Sequence, residues 1–414
     1  MIRFFPFPRS GPLLVTGLTT LGYFLLATSG AADWPHYRGP GYDGSVRAKG
    51  ALIVPGGAPE VLWKASVGKG TSAVTVSGGR AYTMGNVGGK DSVFCLDANT
   101  GRPIWRHQSP VALDPNMFEG GPRATPTVSG ELVFCVSHQG DLSALDAGSG
   151  KRLWVRHYQQ DFGGRRPQWG YAGSPTVEGN LVLVDAGGAG ASTVALDKNS
   201  GRVVWKSGSD EAGYASVVVA TLAGRRTAIV LKAGALVGLD VKSGNEWWRW
   251  PWKTEYDVNA ATPVVLGDRI LISSGYNAGA TLLEVTPRGV SERWRNKNLR
   301  AHINSPVIAQ GYVFGIDGNT GGGNLVCLDL SNGAKRWQEK TVKGGSLIVV
   351  NGKFIVLTEK GELVVADASP AGFYPQLRAR VLDPRCWVQP SFAAGRLFVK
   401  NNEGQIACLD LGAK

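Results

Sequence analysis

The sequence lacks the short motifs that mark most hydrolases, nucleotide-binding enzymes and zinc proteins. It contains no His-Glu-x-x-His, no Gly-x-Ser-x-Gly, no phosphate-binding loop and no helix-opening Gly-x-Gly-x-x-Gly. Only five histidines and five cysteines occur in 414 residues, with no Cys-x-x-Cys pair and no Cys/His spacing suited to zinc. We therefore assign no catalytic residue and no metal ligand from the sequence.

The few cysteines also argue against a disulfide framework. Their number is odd, and Cys95, Cys327 and Cys408 each stand one residue before a Leu-Asp pair, at equivalent positions of a repeated segment. Because equivalent positions of different repeats should lie far apart, we predict buried thiols in strand cores.

Long runs of like charge are missing too. Lys and Arg outnumber Asp and Glu by 44 to 32, for a net charge of +12. The basic residues are nevertheless scattered and form nothing longer than pairs such as Arg165-Arg166 and Arg225-Arg226. A nucleic-acid-binding surface needs a clustered basic patch. We therefore expect a solvated surface and no nucleic-acid partner.

What the chain does contain is one phrase repeated with constant spacing. An Asp is followed by a Gly four residues later and by a Trp eight residues later, in the copies that begin at Asp97, Asp146, Asp197, Asp240 and Asp329. Between copies, short runs rich in Val, Ile and Leu alternate with Gly, Asn and Pro, a pattern typical of strands and hairpins. No long stretch has the 3.6-residue period of a helix.

Weaker copies extend the repeat to eight units. The anchoring acids recur about every 40–50 residues, a period that suits a four-stranded propeller blade, at Asp97, Asp146, Asp197, Asp240, Glu284, Asp329, Asp367 and Asp410. The eighth unit stops before a fourth strand, whereas the strand around Trp63 precedes the first unit and has no partners. The sequence therefore predicts an all-β, eight-bladed β-propeller of four-stranded antiparallel blades, closed by the N-terminal strand around Trp63.

The Asp-x-x-(Thr/Ser)-Gly-x-x-x-Trp phrase resembles the tryptophan-docking repeat of the pyrroloquinoline quinone (PQQ)-like propellers. That superfamily includes quinoprotein alcohol dehydrogenases and BamB-type outer-membrane assembly factors. The segments 34–44, 167–180, 185–201 and 210–216 resemble a secreted bacterial subgroup of these repeat proteins. The resemblance implies the fold, and it leaves the activity open because function depends on the site rather than the fold.

The first 32 residues resemble a secretory signal peptide. Arg3 and Arg9 accompany an apolar stretch at 13–28, and small residues allow cleavage near Ala31 or Ala32. The alternative is an uncleaved membrane anchor, for which the apolar stretch is short. We predict a signal peptide at 1–32, an N-terminal extension at 33–57 and the propeller at 58–414. The mature protein should then be periplasmic or secreted and have no transmembrane segment. Since no Cys lies near the cleavage region, it should not be lipid-anchored, unlike BamB-type proteins.

The predicted binding site is the mouth of the central channel. The first strand of each blade lines the channel, so the residues that lead into these strands should meet at one rim. Aromatic and hydrogen-bonding groups in such a concavity suit a small polar ligand or a segment of a protein partner. The candidate ligand-binding residues are Arg123, Trp169, Tyr171, Tyr214, Asn259, His302, Asn304, Trp387 and Gln389. The alternative is a solvated rim whose side chains only cap strand ends.

Two functions follow from these observations. The first is a non-catalytic binding or scaffold protein of the cell envelope, with no cofactor. The second, implied by the resemblance, is a PQQ-dependent alcohol or sugar dehydrogenase that would hold PQQ and calcium at the channel mouth. Such enzymes use adjacent cysteines over the quinone, calcium ligands and an Asp base. This sequence has no Cys-Cys pair, and the other groups cannot be placed on any of its motifs, so we favour the first function.

Overall fold

Eight sheets, each with four antiparallel strands, make up the fold in a computed structural model of the chain. The structure describes residues 33–49, 52, 54 and 56–412. The predicted signal peptide at 1–32 lies outside these described residues. The sheets belong to one unit that spans Ala31–Lys414. The predicted all-β, eight-bladed propeller is therefore confirmed.

Two strands precede the first complete blade, and the others follow in order. The N-terminal strands are β1 (Ser45–Val46) and β2 (Val61–Ser66). Blades 1 to 4 comprise β3 (Thr75–Ser77), β4 (Arg80–Val87), β5 (Lys90–Asp97) and β6 (Pro103–Ser109); β7 (Thr127–Ser129), β8 (Leu132–Val136), β9 (Asp141–Asp146) and β10 (Arg152–His157); β11 (Thr176–Glu178), β12 (Leu181–Gly188), β13 (Ala191–Asp197) and β14 (Val203–Ser207); and β15 (Val218–Leu222), β16 (Arg225–Leu231), β17 (Ala235–Asp240) and β18 (Glu246–Pro251).

The second half of the ring repeats this plan. Blades 5 to 8 comprise β19 (Val264–Leu266), β20 (Arg269–Ser274), β21 (Gly279–Thr286) and β22 (Gly289–Asn296); β23 (Val307–Ala309), β24 (Tyr312–Asp317), β25 (Asn324–Asp329) and β26 (Lys335–Lys343); β27 (Ser346–Val350), β28 (Lys353–Leu357), β29 (Glu362–Asp367) and β30 (Pro375–Arg380); and β31 (Ser391–Ala393), β32 (Arg396–Lys400) and β33 (Gln405–Asp410). Among the described residues, the helical segments are α1 (Tyr158–Phe162) and a 3₁₀ turn (Glu255–Asp257). In the part of the chain that the structure describes, no helix has the length and hydrophobicity needed to span a membrane.

The N-terminal strand completes the last blade. β2 pairs antiparallel with β33, with Val61 opposite Leu409 and Ser66 opposite Gln405. Blade 8 therefore takes its outer strand from one end of the chain and its inner three from the other. The predicted closure is confirmed, and the pairing covers the edge that β33 would otherwise expose.

Tryptophans join six of the eight blades to the next blade along the ring. The indole N–H of Trp63, on the outer strand of blade 8, donates to the backbone carbonyl of Ala98 in blade 1 (3.0 Å). The same bond recurs from Trp105, Trp154, Trp205, Trp294 and Trp337. Trp248 is the exception: its Nε1 has no partner among the described residues. The unit it faces carries Glu284 and lacks the Asp–Gly spacing.

Each docking turn is shaped by its Asp. The Asp97 carboxylate accepts the backbone N–H of Thr100 (2.8 Å) and of Asn99 (3.0 Å), and the Thr100 hydroxyl also donates to it. These hydrogen bonds, led by that from the Thr100 side chain, lower the pKa of Asp97. The turn ends at Gly101 with a φ of 71°, a backbone conformation that glycine adopts without strain. The repeated phrase thus encodes a turn on which the preceding blade's Trp rests.

We predict that Gly101→Ala costs about 1–3 kcal/mol more unfolding free energy than Gly130→Ala, because overpacking a filled site has that penalty. Both glycines have positive φ, 71° and 60°. A Cβ on Gly101 would lie 2.6 Å from the Trp63 ring, whereas one on Gly130 would meet nothing within 4 Å. Chemical denaturation of the two variants measures the difference. Equal losses would show that the Trp does not rest on the turn.

A second set of contacts joins the blades around the channel. The backbone N–H of one inner strand donates to the Ser or Thr hydroxyl oxygen at the equivalent place in the next blade. The successive bonds run from Ala73 to Thr125 (3.0 Å), Thr125 to Ser174 (2.9 Å), Ser174 to Ser216 (2.9 Å), Ser216 to Thr262 (3.3 Å) and Thr262 to Ser305 (2.8 Å). These five hydroxyls, referred to below as the hydroxyl ring, follow the channel wall from blade 2 to blade 6.

The N-terminal segment 33–46 occupies the far end of the channel. Trp34 exchanges two backbone hydrogen bonds with Val76 of blade 1 (2.8 Å each), and Pro35 accepts the N–H of Val128 in blade 2 (2.8 Å). The buried Arg38 donates to the carbonyl of Pro306 before blade 6 (2.7 Å). β1 then adds a parallel strand to the inner edge of blade 7. The segment therefore contacts inner strands on opposite sides of the ring and plugs the channel.

All five cysteines are buried and free. Burial raises the pKa of each thiol, to about 12 for Cys327 and Cys408 and about 11 for Cys95. The prediction of buried thiols in strand cores is confirmed.

Candidate functional site

A cavity of about 270 Å³ opens at the channel mouth. Its wall is formed by residues that lead into the inner strands of the blades, and four members of the hydroxyl ring line it. Tyr37 of the plug segment also lines the cavity. The propeller thus forms a cup: loops make the rim, inner strands make the wall, and the N-terminal segment lies beneath.

Seven of the nine predicted ligand-binding residues line this one cavity. They come from five different blade junctions and are Arg123, Trp169, Tyr214, His302, Asn304, Trp387 and Gln389. The repeat therefore brings together residues that lie up to 266 positions apart in the sequence.

Tyr171 and Asn259 lie outside the cavity. Tyr171 is buried between blades, donates its hydroxyl to the carbonyl of Ala186 (3.0 Å) and packs edge-on against Tyr158 of α1. The fully buried Asn259 donates its amide to the carbonyls of Lys232 and Ala233 (2.9 Å each) and accepts a hydrogen bond from the Ser274 hydroxyl (2.7 Å). Both side chains hold the structure together, and neither faces the channel mouth.

Aromatic side chains form two walls of the cavity. The ring centroids of Trp169 and Tyr214 lie 6.2 Å apart on one side. Phe118 and Trp387 meet edge to face at 5.1 Å on another. The Trp387 ring is held in place because its N–H donates to the Glu359 carboxylate (2.9 Å). The cavity can therefore receive a flat ring between rigid apolar surfaces.

Arg123 is a cation without a partner. Its half-buried guanidinium lines the cavity and makes no hydrogen bond or ion pair with any residue that the structure describes. Burial lowers its pKa, yet an arginine stays protonated at neutral pH. Three acids of the surrounding loops are engaged elsewhere: Glu119 with Arg385 (2.7 Å), Asp114 with Arg166, and Glu359 with Trp387 (2.9 Å).

The remaining polar groups are mostly hydrogen-bond donors. Burial lowers the pKa of His302 to about 4, so its ring is neutral at pH 7. Its Nδ1 accepts the N–H of Thr320 (3.2 Å), which leaves the ring hydrogen on Nε2. One acceptor stands apart: the buried Oε1 of Gln389 has no partner among the described residues, while its Nε2 donates to Leu347 (3.0 Å).

Several cavity residues were missed by sequence reasoning. Phe118 lies in the loop between blades 1 and 2, Tyr276 follows β20, and Tyr37 belongs to the plug segment. Their positions follow from loop conformation and from the path of the N-terminus. The hydroxyl ring had a signal: a Ser or Thr precedes Pro in ATPTV, GSPTV, ATPVV and NSPVI.

A second cavity, of about 390 Å³, lies between blades 1 and 2. Each of its two acids already accepts a side-chain hydrogen bond, although Asp91 Oδ2 lacks a hydrogen-bond partner among the described residues. Asp141 bonds to His157 (2.7 Å) and to the Ser137 hydroxyl (2.8 Å), and Asp91 accepts the Asn86 amide (2.8 Å). Burial raises the pKa of Asp91 to about 7, which lessens its charge. We therefore take the channel-mouth cavity, whose cation is unpaired, as the candidate site.

The channel-mouth cavity does not fit calcium or an acid–base reaction. Calcium takes six to eight oxygen ligands, with carboxylates prominent among them, and no Asp or Glu is among the residues that line this cavity. Across the described residues, no group of three or more His, Cys, Asp or Glu side chains could hold a metal ion. The site can bind a ring and an anion, but it offers neither a metal-binding set nor a carboxylate base.

Comparison with known proteins places the chain among similar propellers. A family model described as "Outer membrane protein assembly factor BamB" matches residues 51–166 and 165–339. The outer membrane protein assembly factor BamB of Moranella endobia is 27% identical over 260 residues, which cover 59% of this chain and 64% of that protein. The match therefore spans less than two thirds of that curated relative.

Two solved structures share the fold. BamB from Moraxella catarrhalis has a TM-score of 0.62 at 16% identity, over 85% of this chain and 98% of that one. Quinohemoprotein alcohol dehydrogenase from Comamonas testosteroni has a TM-score of 0.68 at 13% identity, over 92% of this chain and 81% of that one. Because the two neighbours have different names and similar scores, the fold alone does not choose between binding and catalysis.

Proposed function

Because the chain belongs to the family described as outer membrane protein assembly factor BamB, we propose that it is a non-catalytic binding protein of the cell envelope. Its binding site is the channel-mouth cavity, which receives a small polar ligand or a segment of a partner protein. The predicted signal peptide at 1–32 would deliver it to the periplasm.

One observation carries the proposal: the cavity wall combines aromatic rings, an unpaired cation and hydrogen-bond donors, and it has no carboxylate. Such a wall supplies the shape and polarity that ligand sites need. General acid–base chemistry needs a titratable group poised near neutral pH. The one histidine in the wall, His302, has its pKa lowered to about 4. Binding is therefore the function that this arrangement serves best.

A protein partner is compatible with the rim. Phe118 and Tyr256 are each 59% exposed, an unusual degree for aromatic side chains, and Phe118 lines the cavity opening. Exposed aromatic groups beside a pocket are typical of residues that anchor a partner. The relative from Moranella endobia is by its name an assembly factor for outer membrane proteins. A partner engaged in that process is the class we propose for this chain.

The alternative, a PQQ-dependent dehydrogenase, is disfavoured by the same wall. An arginine and two tryptophans could contact a planar quinone, but calcium would find no carboxylate among the lining residues. The five cysteines are buried singly, so no cysteine pair is available over a quinone. We derive no reaction step through PQQ for this protein.

We predict no turnover when the mature protein is incubated with PQQ and calcium and assayed for dye-linked oxidation of ethanol and glucose. A quinoprotein ethanol dehydrogenase, treated in the same way, provides the positive control. The expected rate for this protein is that of the buffer blank, because the cavity has neither calcium ligands nor a base. Sustained dye reduction that depends on both PQQ and an alcohol would overturn the non-catalytic proposal.

A further inference from the structure

The channel-mouth cavity contains many more hydrogen-bond donors than acceptors. Thr125, Ser174, Ser216 and Thr262 line it, and each hydroxyl oxygen already accepts a backbone N–H from the neighbouring blade. Among the described residues, none of these hydroxyls donates to an acceptor. Their hydrogens are therefore free to point into the cavity.

Arg123 adds a formal positive charge to these donors. Its guanidinium stands two residues before Thr125, at the point where the chain turns into the inner strand of blade 2. Glu119, Asp114 and Glu359 are bound to Arg385, Arg166 and Trp387, and none of these three acids forms an ion pair with Arg123. A half-buried cation with no ion-pair partner gives the cavity a positive charge that an anionic ligand would complement.

The aromatic walls restrict which anion fits. Trp169, Tyr214, Phe118 and Trp387 offer flat apolar surfaces, which an inorganic anion would leave unused. A ligand that carries an ammonium group would find no acid in the wall to pair with it.

We infer that the channel-mouth cavity binds a small ring-bearing carboxylic acid, with its carboxylate on Arg123 and the hydroxyl ring and its ring face against the tryptophans. This inference rests on the proposed binding function and names the ligand class. Two classes of ligand meet this description: aromatic acids and sugar acids. Both present a carboxylate beside a flat or apolar ring face. The cavity volume of about 270 Å³ accommodates a single ring with few substituents.

Calorimetric titration of the mature protein at pH 7 tests the ligand class. The probes are 4-hydroxybenzoate and glucuronate, their neutral counterparts 4-hydroxybenzamide and glucose, and inorganic sulfate. We expect at least one of the two acids to bind at least tenfold more tightly than its neutral counterpart. The acid that binds more tightly shows whether the natural ligand is an aromatic acid or a sugar acid. Tighter binding of sulfate, or equal binding of acid and amide, overturns the inference, as does failure of both acids to bind.

Variants locate the binding. Arg123→Gln should lower the affinity for the acid about 10–100-fold, in line with the loss of a hydrogen-bonded charge contact. The affinity for the neutral probe should stay unchanged. Arg123→Lys should retain part of the preference for the acid over its neutral counterpart. Arg225→Gln, a change at an exposed arginine over Trp247, is the matched control and should change nothing. Because Arg123 makes no hydrogen bond or ion pair with any described residue, the variant should unfold close to the parental temperature.

Trp387→Ala separates this inference from the proposed function. If it weakens acid and neutral probes alike while Arg123→Gln has no effect, the cavity is the binding site but charge does not select the ligand. If neither variant affects a probe that binds, the ligand lies elsewhere and the proposed site itself is wrong.

Discussion

Trp63→Ala should lower the free energy of unfolding by about 3–5 kcal/mol, the loss typical of a large aromatic side chain removed from a core. Trp63 is only 7% exposed. It packs edge-on against Phe398 with ring centroids 5.9 Å apart, rests on Gly101 and donates its indole N–H to Ala98 (3.0 Å). One substitution therefore removes contacts to blade 8 and to blade 1 together.

The loss should be concentrated at the closure of the ring. Trp63 belongs to β2, the strand that joins the N-terminus to β33 near the C-terminus. Hydrogen exchange should accelerate in Val61–Ser66 and Gln405–Asp410 and remain near parental rates in β16 and β17 of blade 4. Local opening of this kind reports the stability of a single cooperative unit.

Trp247→Ala is the control for Trp63→Ala. Trp247 also lies on an outer strand, but it is half-buried and stacks under the Arg225 guanidinium at 4.7 Å. Its removal should cost about 1 kcal/mol. Equal losses for the two tryptophans, or uniform exchange around the ring, would contradict the view that the β2–β33 pairing holds the propeller shut.

Lys232→Met should also lower the free energy of unfolding by about 3–5 kcal/mol, as expected when one partner of a buried ion pair is removed. The Lys232 ammonium is 1% exposed and donates to Asp185 (2.6 Å), Ser192 (2.8 Å) and Thr193 (2.7 Å). Asp185 and Lys232 belong to blades 3 and 4. The variant would leave the Asp185 carboxylate buried without its counter-charge.

The loss in Lys232→Met should shrink at low pH. Burial raises the pKa of the Asp185 carboxyl, an effect that the ammonium of Lys232 opposes. Without Lys232 the folded-state pKa rises further above the unfolded value, so the folded variant binds a proton that the unfolded chain has lost. Its stability therefore falls as pH rises through that window. Denaturation at pH 5 and pH 8 should show the smaller deficit at pH 5.

Two further variants test whether the lost stability comes from the Asp185 carboxylate. Arg226→Gln breaks an exposed bidentate pair with Glu178 between the same two blades, and it should cost only about 0–1 kcal/mol. Lys232→Met combined with Asp185→Leu should recover much of the loss, because an apolar pair avoids the uncompensated charge. If the double variant is no more stable than Lys232→Met, the deficit does not come from the carboxylate.

The candidate site was only partly predictable, because the side chain of a rim residue can face either the cavity or the packing between blades. Trp169 and Tyr171 are two residues apart in the same loop, yet Trp169 lines the cavity and Tyr171 packs on Tyr158. The difference depends on α1, whose five residues carry too little periodicity to be recognised. Asn259 has an amide side chain of the kind that binds polar ligands. In the structure, however, this amide donates to the backbone carbonyls of Lys232 and Ala233 and is not available to a ligand.

By itself the sequence determined the number of blades, the docking turns and the ring closure. The blade number and the docking turns depend on residues a few positions apart, since Asp, Gly and Trp at constant spacing specify a turn and the surface that rests on it. The closure follows from an eighth unit that lacks a fourth strand, which the segment around Trp63 supplies. Only the tertiary structure decided that segment 33–46 plugs the channel, that Lys232 meets Asp185, and that Arg123 is left without an acid. Those outcomes depend on contacts between distant parts of the chain. They are set by packing around the whole ring, which no local pattern records.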